Sequence, residues 1–150
     1  MRIGVLSDTH NLLRPRVLEL LAGCERILHA GDVGDLEILD RLRAIAPVDA
    51  IRGNTDSGAT AAALPEILAG DLCSLPFRMA HRREDVDPRW PAESRLVVYG
   101  HSHRPELSWH GSCLLLNPGA CGNRRFHLPL TLAILRVADQ RIVPEILAVE

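Results

Sequence analysis

Residues 2–10 read Arg2-Ile3-Gly4-Val5-Leu6-Ser7-Asp8-Thr9-His10, an apolar run that ends on a carboxylate and an imidazole. The arrangement returns twice. Arg26–Ala30 runs into Gly31-Asp32, and Val48–Arg52 runs into Gly53-Asn54. A short apolar run bounded by turn residues is the pattern of a buried strand. Between the runs, Pro15–Leu21 and Asp35–Ile45 space their apolar residues for helices, with Pro15 fitting a first turn and Pro47 closing the second. Strands joined by crossover helices predict a parallel sheet, and ligands bind outside the carboxyl ends of its strands. The polar clusters fall at those ends.

Working outward, the second half changes character. Leu72–Ala80 (interrupted by Pro76), Arg95–Tyr99, Cys113–Leu116, Leu130–Val137 and Ile142–Leu147 read as strands with shorter connections. The turns His110-Gly111-Ser112 and Asp139-Gln140-Arg141 predict antiparallel hairpins, hence a second sheet packed on the first. Gly58–Ala63 reads as a loop or a short, loosely held helix, and His81–Glu93, rich in charge and proline, as a solvated connection.

A chain of 150 residues is expected to form one domain, 1–150. Hydrophobic residues at 47% and charged residues at 24% exclude disordered and fibrous classes. A net charge of -2 gives no broad basic field for nucleic acid or anionic membrane, so any anion specificity must be local. Aromatic residues at 3% offer little base stacking, and nucleic acid is not an expected partner. All 17 basic side chains are Arg, which excludes lysine-based catalysis. No apolar run is long enough for a membrane span, and the N-terminal run passes directly into polar residues, unlike a signal peptide. Cys24, Cys73, Cys113 and Cys121 form no Cys-x-x-Cys pair, so free thiols and a cytoplasmic location are expected.

The strand ends collect Asp8, His10, Asp32, Asn54, His81, His101 and His103. Carboxylate, amide oxygen and imidazole together suit divalent Mn, Fe, Zn or Ni. Seven ligands are too many for one such ion, but suit two if one carboxylate bridges them. Taken singly each residue has a bland reading: Gly53-Asn54 is a common turn dipeptide, and a lone His such as His81 is more often structural. Gly100-His101-Ser102-His103 is stronger, because alternate residues on extended chain offer two imidazoles to nearby metals. The ordered set decides.

The motifs Asp8-Thr9-His10, Gly31-Asp32, Gly53-Asn54-Thr55-Asp56, His81, Gly100-His101-Ser102-His103 and Asn117-Pro118-Gly119 occur in an order that resembles the calcineurin-like metallophosphoesterases, particularly the small prokaryotic phosphodiesterases of the YfcE type. The resemblance implies an α/β fold, a four-layer α/β/β/α sandwich of two mixed sheets with a dinuclear metal site at one edge. Carried over, one ion takes Asp8, His10 and His103, the other Asn54, His81 and His101, and Asp32 bridges them. Asn117-Pro118-Gly119 corresponds to a structural turn. The implied activity is a metal-dependent phosphodiesterase, with monoesters also open, acting on small phosphoesters through a hydroxide that bridges two divalent ions, Mn first. Homo-oligomers are common among such proteins. Two carboxylates and two divalent ions leave a pocket of about +2, which attracts phosphate, whereas the metal-free pocket repels it. Asp32, Asn54, Asp56 and His81 are the residues expected to carry catalysis, Asp56 by orienting a metal-bound histidine.

Two departures matter. Many larger relatives have a histidine at the position of Thr55, which is thought to protonate the leaving group; a threonine hydroxyl cannot, so good leaving groups or another acid are expected. The family histidine corresponding to His81 is normally followed by glycine, whereas here Arg82 and Arg83 follow. Either the loop turns outward and both guanidiniums are solvated, or Arg82 or Arg83 folds over the site and grips a phosphate oxygen. The rival function is a non-catalytic scaffold of the same fold, as in the retromer scaffold subunit, which lacks the histidine corresponding to His81.

Overall fold

A computed structural model describes all residues, 1–150. In chain order the elements are β1 (Arg2–Leu6), α1 (Pro15–Leu21), β2 (Arg26–His29), α2 (Leu36–Arg43), β3 (Val48–Ala50), α3 (Gly58–Ala63), β4 (Ile67–Leu72), β5 (Leu75–Ala80), α4 (Trp90–Glu93), β6 (Leu96–Val98), β7 (Glu106–His110), β8 (Cys113–Asn117), β9 (Thr131–Ala138) and β10 (Arg141–Ala148). The β-α-β-α-β opening is present, with Pro15 in the first turn of α1. Glu37 in the first turn of α2 and Arg41 and Arg43 in its last turn complement the helix dipole.

Strands β1, β2 and β3 are parallel neighbours, and β9 and β10 add antiparallel, giving the order β10-β9-β1-β2-β3. The second sheet runs β4-β5-β6-β8-β7, with β5, β6 and β8 parallel. Both expected hairpins, β7–β8 and β9–β10, are antiparallel.

Three apolar layers separate four layers of structure. Leu6, Ile27, Leu132 and Ile134 pack with Val17, Leu21, Leu39 and Leu42 of α1 and α2 on the outer face of the first sheet. The alternate residues Ile3, Val5, Leu28, Ala133 and Leu135 meet Phe77, Leu96, Val98, Leu114 and Leu116 between the sheets. Val97, Cys113 and Leu115 turn outward to Trp90 of α4. The period-two alternation of buried strands thus feeds two cores at once, which is why these strands read as unbroken apolar runs.

Three readings need correction. The apolar run Leu72–Ala80 is not one strand: Leu72 ends the first arm of a hairpin and Leu75–Ala80 is the second, with Cys73 and Ser74 at φ of 49° and 68° forming a tight left-handed turn between paired Leu72 and Leu75. Neither is the glycine or asparagine that advertises such a turn. Strands β4 and β7 carry no apolar run because each is a sheet edge, mostly solvent-facing. The connection after His81 is not wholly solvated, since Val86 and Trp90 are buried against the second sheet. No helix is long and apolar enough to cross a membrane.

Candidate metal centre

The carboxyl ends of β1, β2, β3, β5 and β6 meet at one edge of the sandwich, and each delivers its polar cluster there. The backbone is held in costly conformations to do so. Asp8, His10, Asp32, His101 and His103 have φ of 56°, 45°, 55°, 71° and 63°, a left-handed region that costs a non-glycine residue about 1–2 kcal/mol. Close approach is the second requirement. Gly31, at φ 101°, leaves no room for a Cβ, which would lie 2.7 Å from Nδ1 of His81, and a Cβ at Gly53 would fall on the Asp32 carboxylate.

The side chains gather in two groups of potential metal ligands, Asp8 with His10 and His103, and Asp32 with His81 and His101, the ligand atoms in each lying within 4.8 Å of one another. Asp32 Oδ2 lies 3.1 Å from His81 Nε2 and 3.6 Å from His10 Nε2, so one oxygen faces both groups. Its other oxygen accepts the Thr55 N–H at 2.9 Å. Asp8 Oδ1 lies 3.4 Å from His103 Nε2 and 3.7 Å from His10 Nε2, while Oδ2 accepts from the Ser7 hydroxyl and the His101 N–H. Asn54 joins the second group, its Oδ1 accepting from His101 Nδ1 at 3.0 Å.

These contacts fit divalent cations. His81 Nδ1–H donates to the carbonyl of Ala30 at 2.7 Å, which in a neutral ring turns the Nε2 lone pair toward Asp32. That buried Nε2 and the buried Asp8 Oδ1 have no hydrogen-bond partner. Two lone pairs facing each other need a proton or a metal ion between them. Nε2 of His10 and of His103 likewise face each other at 3.4 Å. Protonation shows the same bias toward positive charge. Burial opposes ionisation of Asp8, yet His10, His103, His81 and Ser7 hold its carboxyl well below the usual range. Asp8 in turn raises His10, and although burial would depress His81, Asp32 and Asp8 raise it.

Asp56 requires a correction. Its carboxylate accepts the backbone N–H groups of Gly53, Gly34 and Val33 at 2.9, 3.1 and 3.2 Å instead of orienting a histidine, and so clamps the loop after β2 to the loop after β3. The two arginines differ in their surroundings, and Arg82 pairs with Glu84 at 3.7 Å. Arg82 adopts ordinary extended backbone, φ −104°, and lines a cavity of about 420 Å³ with Asn54 and His81. The Arg83 guanidinium lies over the Tyr99 ring, 5.6 Å from its centre. Asn117 does more than turn the chain: its amide donates to Gly100 O and Ser102 Oγ, bracing the loop that carries His101 and His103. Ser7, missed in the sequence, has no signature beyond standing before Asp8.

His29 takes the core role expected from its buried strand. It accepts the Gly31 N–H at Nδ1, and Nε2 meets the Thr9 hydroxyl, which donates to Val33 O. Complete burial pushes its pKa down to about 4. A histidine depressed below its unfolded value of about 6.5 stabilises the fold above that pH, and the contribution disappears as pH falls toward 4. The expected loss is about 3 kcal/mol. Thermal melts of the wild type and His29→Gln between pH 7.5 and 4.5 check it: the wild type should lose stability more steeply, and parallel curves would refute the assignment.

Comparison with known proteins bears on this geometry. Residues 1–140 match the family model of the calcineurin-like phosphoesterase superfamily domain. A probable metallophosphoesterase of Methanocaldococcus jannaschii is 34% identical over 80% of this chain and 68% of its own. Among solved structures, an archaeal phosphodiesterase superposes with a TM-score of 0.80 at 22% identity, over 98% of this chain and 100% of that one. The phosphoesterase Yfce of E. coli follows at 0.71 and 25%, covering both chains fully. Vps29 of Entamoeba histolytica shares the fold at 0.77 and 19%, over 99% of each chain. The donor groups at the sheet edge and the match across nearly the whole chain agree, and this chain belongs to the calcineurin-like phosphoesterase superfamily.

Proposed function

We propose that this protein is a phosphoesterase that hydrolyses small phosphodiesters ahead of monoesters, using two divalent cations. Asp8, His10 and His103 would hold one, His81, His101 and Asn54 the other, and Asp32 both. The observation that carries this reading is the position of Asp32 Oδ2 between the nitrogens of His10 and His81. When bound, such a pair supplies an activated water for in-line attack on phosphorus and neutralises charge on the phosphoryl oxygens. Manganese suits the mixed oxygen and nitrogen donors, with iron, nickel and zinc compatible.

The chain's own part is positioning. Ser7 and the His101 amide fix one oxygen of Asp8, Thr55 fixes one of Asp32, and Ala30 fixes the ring of His81, so each donor is oriented before substrate arrives. Arg82 lines one cavity with Asn54 and His81 and would meet a substrate oxygen there. The phosphodiesterase and phosphoesterase names of structural neighbours support the reaction class. A scaffold role draws support only from the fold shared with Vps29. Against it stand seven donor positions that are all filled.

The test is hydrolysis of bis(4-nitrophenyl) phosphate and 4-nitrophenyl phosphate by metal-stripped protein titrated with Mn, Ni, Zn and Mg. Activity absent from the stripped protein, restored by metal and higher for the diester is expected. Inactivity with every metal, at two ions bound per chain, would turn the reading toward the scaffold.

A further inference from the structure

We propose that β7 is the contact strand of a homodimer, in which two copies pair their β7 strands antiparallel about Ser108 and join their second sheets into one continuous sheet.

The edges of the two sheets differ in how they are guarded. An edge strand leaves a row of N–H and C=O groups unpaired, and proteins blunt such rows by brevity, proline, charge or cover. Strand β3 is three residues long, and β10 carries Pro144 between Arg141 and Glu145. On β4 the Asp71 carbonyl is covered by the Arg26 guanidinium. Strand β7, Glu-Leu-Ser-Trp-His, has neither proline nor arginine, and it presents Leu107 and Trp109 at 41% and 51% exposed.

The ladder beside it shows which backbone groups are free. Leu114 N–H and Leu116 C=O of β8 bond to Arg95 and Tyr99 on the β6 side. Cys113, Leu115 and Asn117 therefore turn theirs toward β7, where they meet His110, Ser108 and Glu106. Leu107 and Trp109, between these, point both N–H and C=O out of the sheet. Across a two-fold axis at Ser108, Leu107 of one copy falls opposite Trp109 of the other, so every outward N–H meets an outward C=O. The row stops at both ends, since Pro105 has no N–H and Gly111, at φ 61°, turns out of the strand.

The side chains agree with this register. On one face Leu107 of each copy covers Trp109 of the other, next to their cross-strand neighbours Leu116 and Leu114 of the core between the sheets. On the opposite face Glu106 stands across from His110 of the other copy, a carboxylate against an imidazole. Glu106 gives one oxygen to the Tyr99 hydroxyl and keeps the other for that partner. Sliding the pair by two residues sets Glu106 against Ser108, or Trp109 against itself, and loses the match. The same patch serves both copies, as a two-fold dimer requires.

The interface is small, and dissociation on the order of 10 µM is expected. Sedimentation of the manganese-loaded full chain across about 1–200 µM should show a monomer–dimer equilibrium. Trp109→Lys removes the covering ring, and Leu107→Pro removes an outward N–H that no group within the chain uses; each should weaken the dimer about tenfold or more. A second measurement reads the register. Cys73→Ser leaves only buried thiols. In that background Ser108→Cys should form an intermolecular disulfide on mild oxidation, because residues facing each other across the axis bring their Cβ atoms within about 5.5 Å. Glu106→Cys should not, since its counterpart lies about 13 Å along the strand. A monomer at every concentration, a dimer indifferent to both β7 variants, or equal disulfide formation at the two positions would overturn the assignment.

Discussion

Asp32→Ala is expected to cut hydrolysis of bis(4-nitrophenyl) phosphate on the order of 10³-fold and to lower bound metal from two ions per chain to one or fewer. The expectation follows from position. Asp32 Oδ2 is the one oxygen within 3.6 Å of an imidazole nitrogen in each group, so its loss weakens both at once, whereas loss of His103 touches only one. Asp32→Asn separates charge from shape. It keeps an oxygen for the Thr55 N–H and nearly the same volume, and it should lose metal and activity just as far. A stability measurement adds an independent sign. Asp8 and Asp32 are 0% and 2% exposed, and although burial opposes their ionisation, His10 and His103 beside Asp8 and His81 and Thr55 beside Asp32 hold both carboxyls below the usual range in the metal-free protein. Asp32→Asn removes a carboxylate that His81 and the Thr55 N–H favour in the fold, so at neutral pH metal-free Asp32→Asn should melt below the metal-free wild type. Metal addition should then raise the wild type far more than the variant. Two tightly bound ions and activity within tenfold of wild type in Asp32→Ala would refute the role of Asp32.

The second large effect is structural. Asp56→Ala should destabilise the protein by about 3–5 kcal/mol, since it removes three charge-assisted hydrogen bonds and strands their N–H groups. That is a large part of the 5–15 kcal/mol typical of a domain. Asp56→Asn should recover little, because its amide offers one oxygen and turns a donor toward backbone donors. Urea unfolding measures both. A cost below about 1 kcal/mol for Asp56→Ala would show that the two loops hold each other without the clamp. The loop after β2 carries Asp32, so metal affinity should fall along with stability.

Much of this molecule was legible in the chain. The apolar runs ending on Asp8 and Asp32 declare strands because strands buried on both faces need continuous apolar sequence, the half-buried edge strand before Asn54 follows the same pattern more weakly, and the polar residue after each run marks where the sheet ends. The ordered set of donors identifies the family for the same reason: metal ligation admits few residue types, and the sheet edge fixes where in the chain they must stand. The exposed edge strands β4 and β7 and the Cys73-Ser74 turn left no such trace, because half-solvated residues obey no strict pattern and tertiary pairing imposes their conformation.

The chain by itself thus determined the sheet core and which residues gather at the sheet edge as candidate metal donors, both governed by burial and by ligand chemistry. Only the tertiary structure decided what the remaining polar groups do. Asp56 grips backbone amides of two loops, Arg83 stacks on Tyr99 while Arg82 stays at the cavity wall, and Asn117 braces the histidine loop. A carboxylate, guanidinium or amide can satisfy itself with many partners, and which one it meets depends on loops brought together from distant parts of the chain.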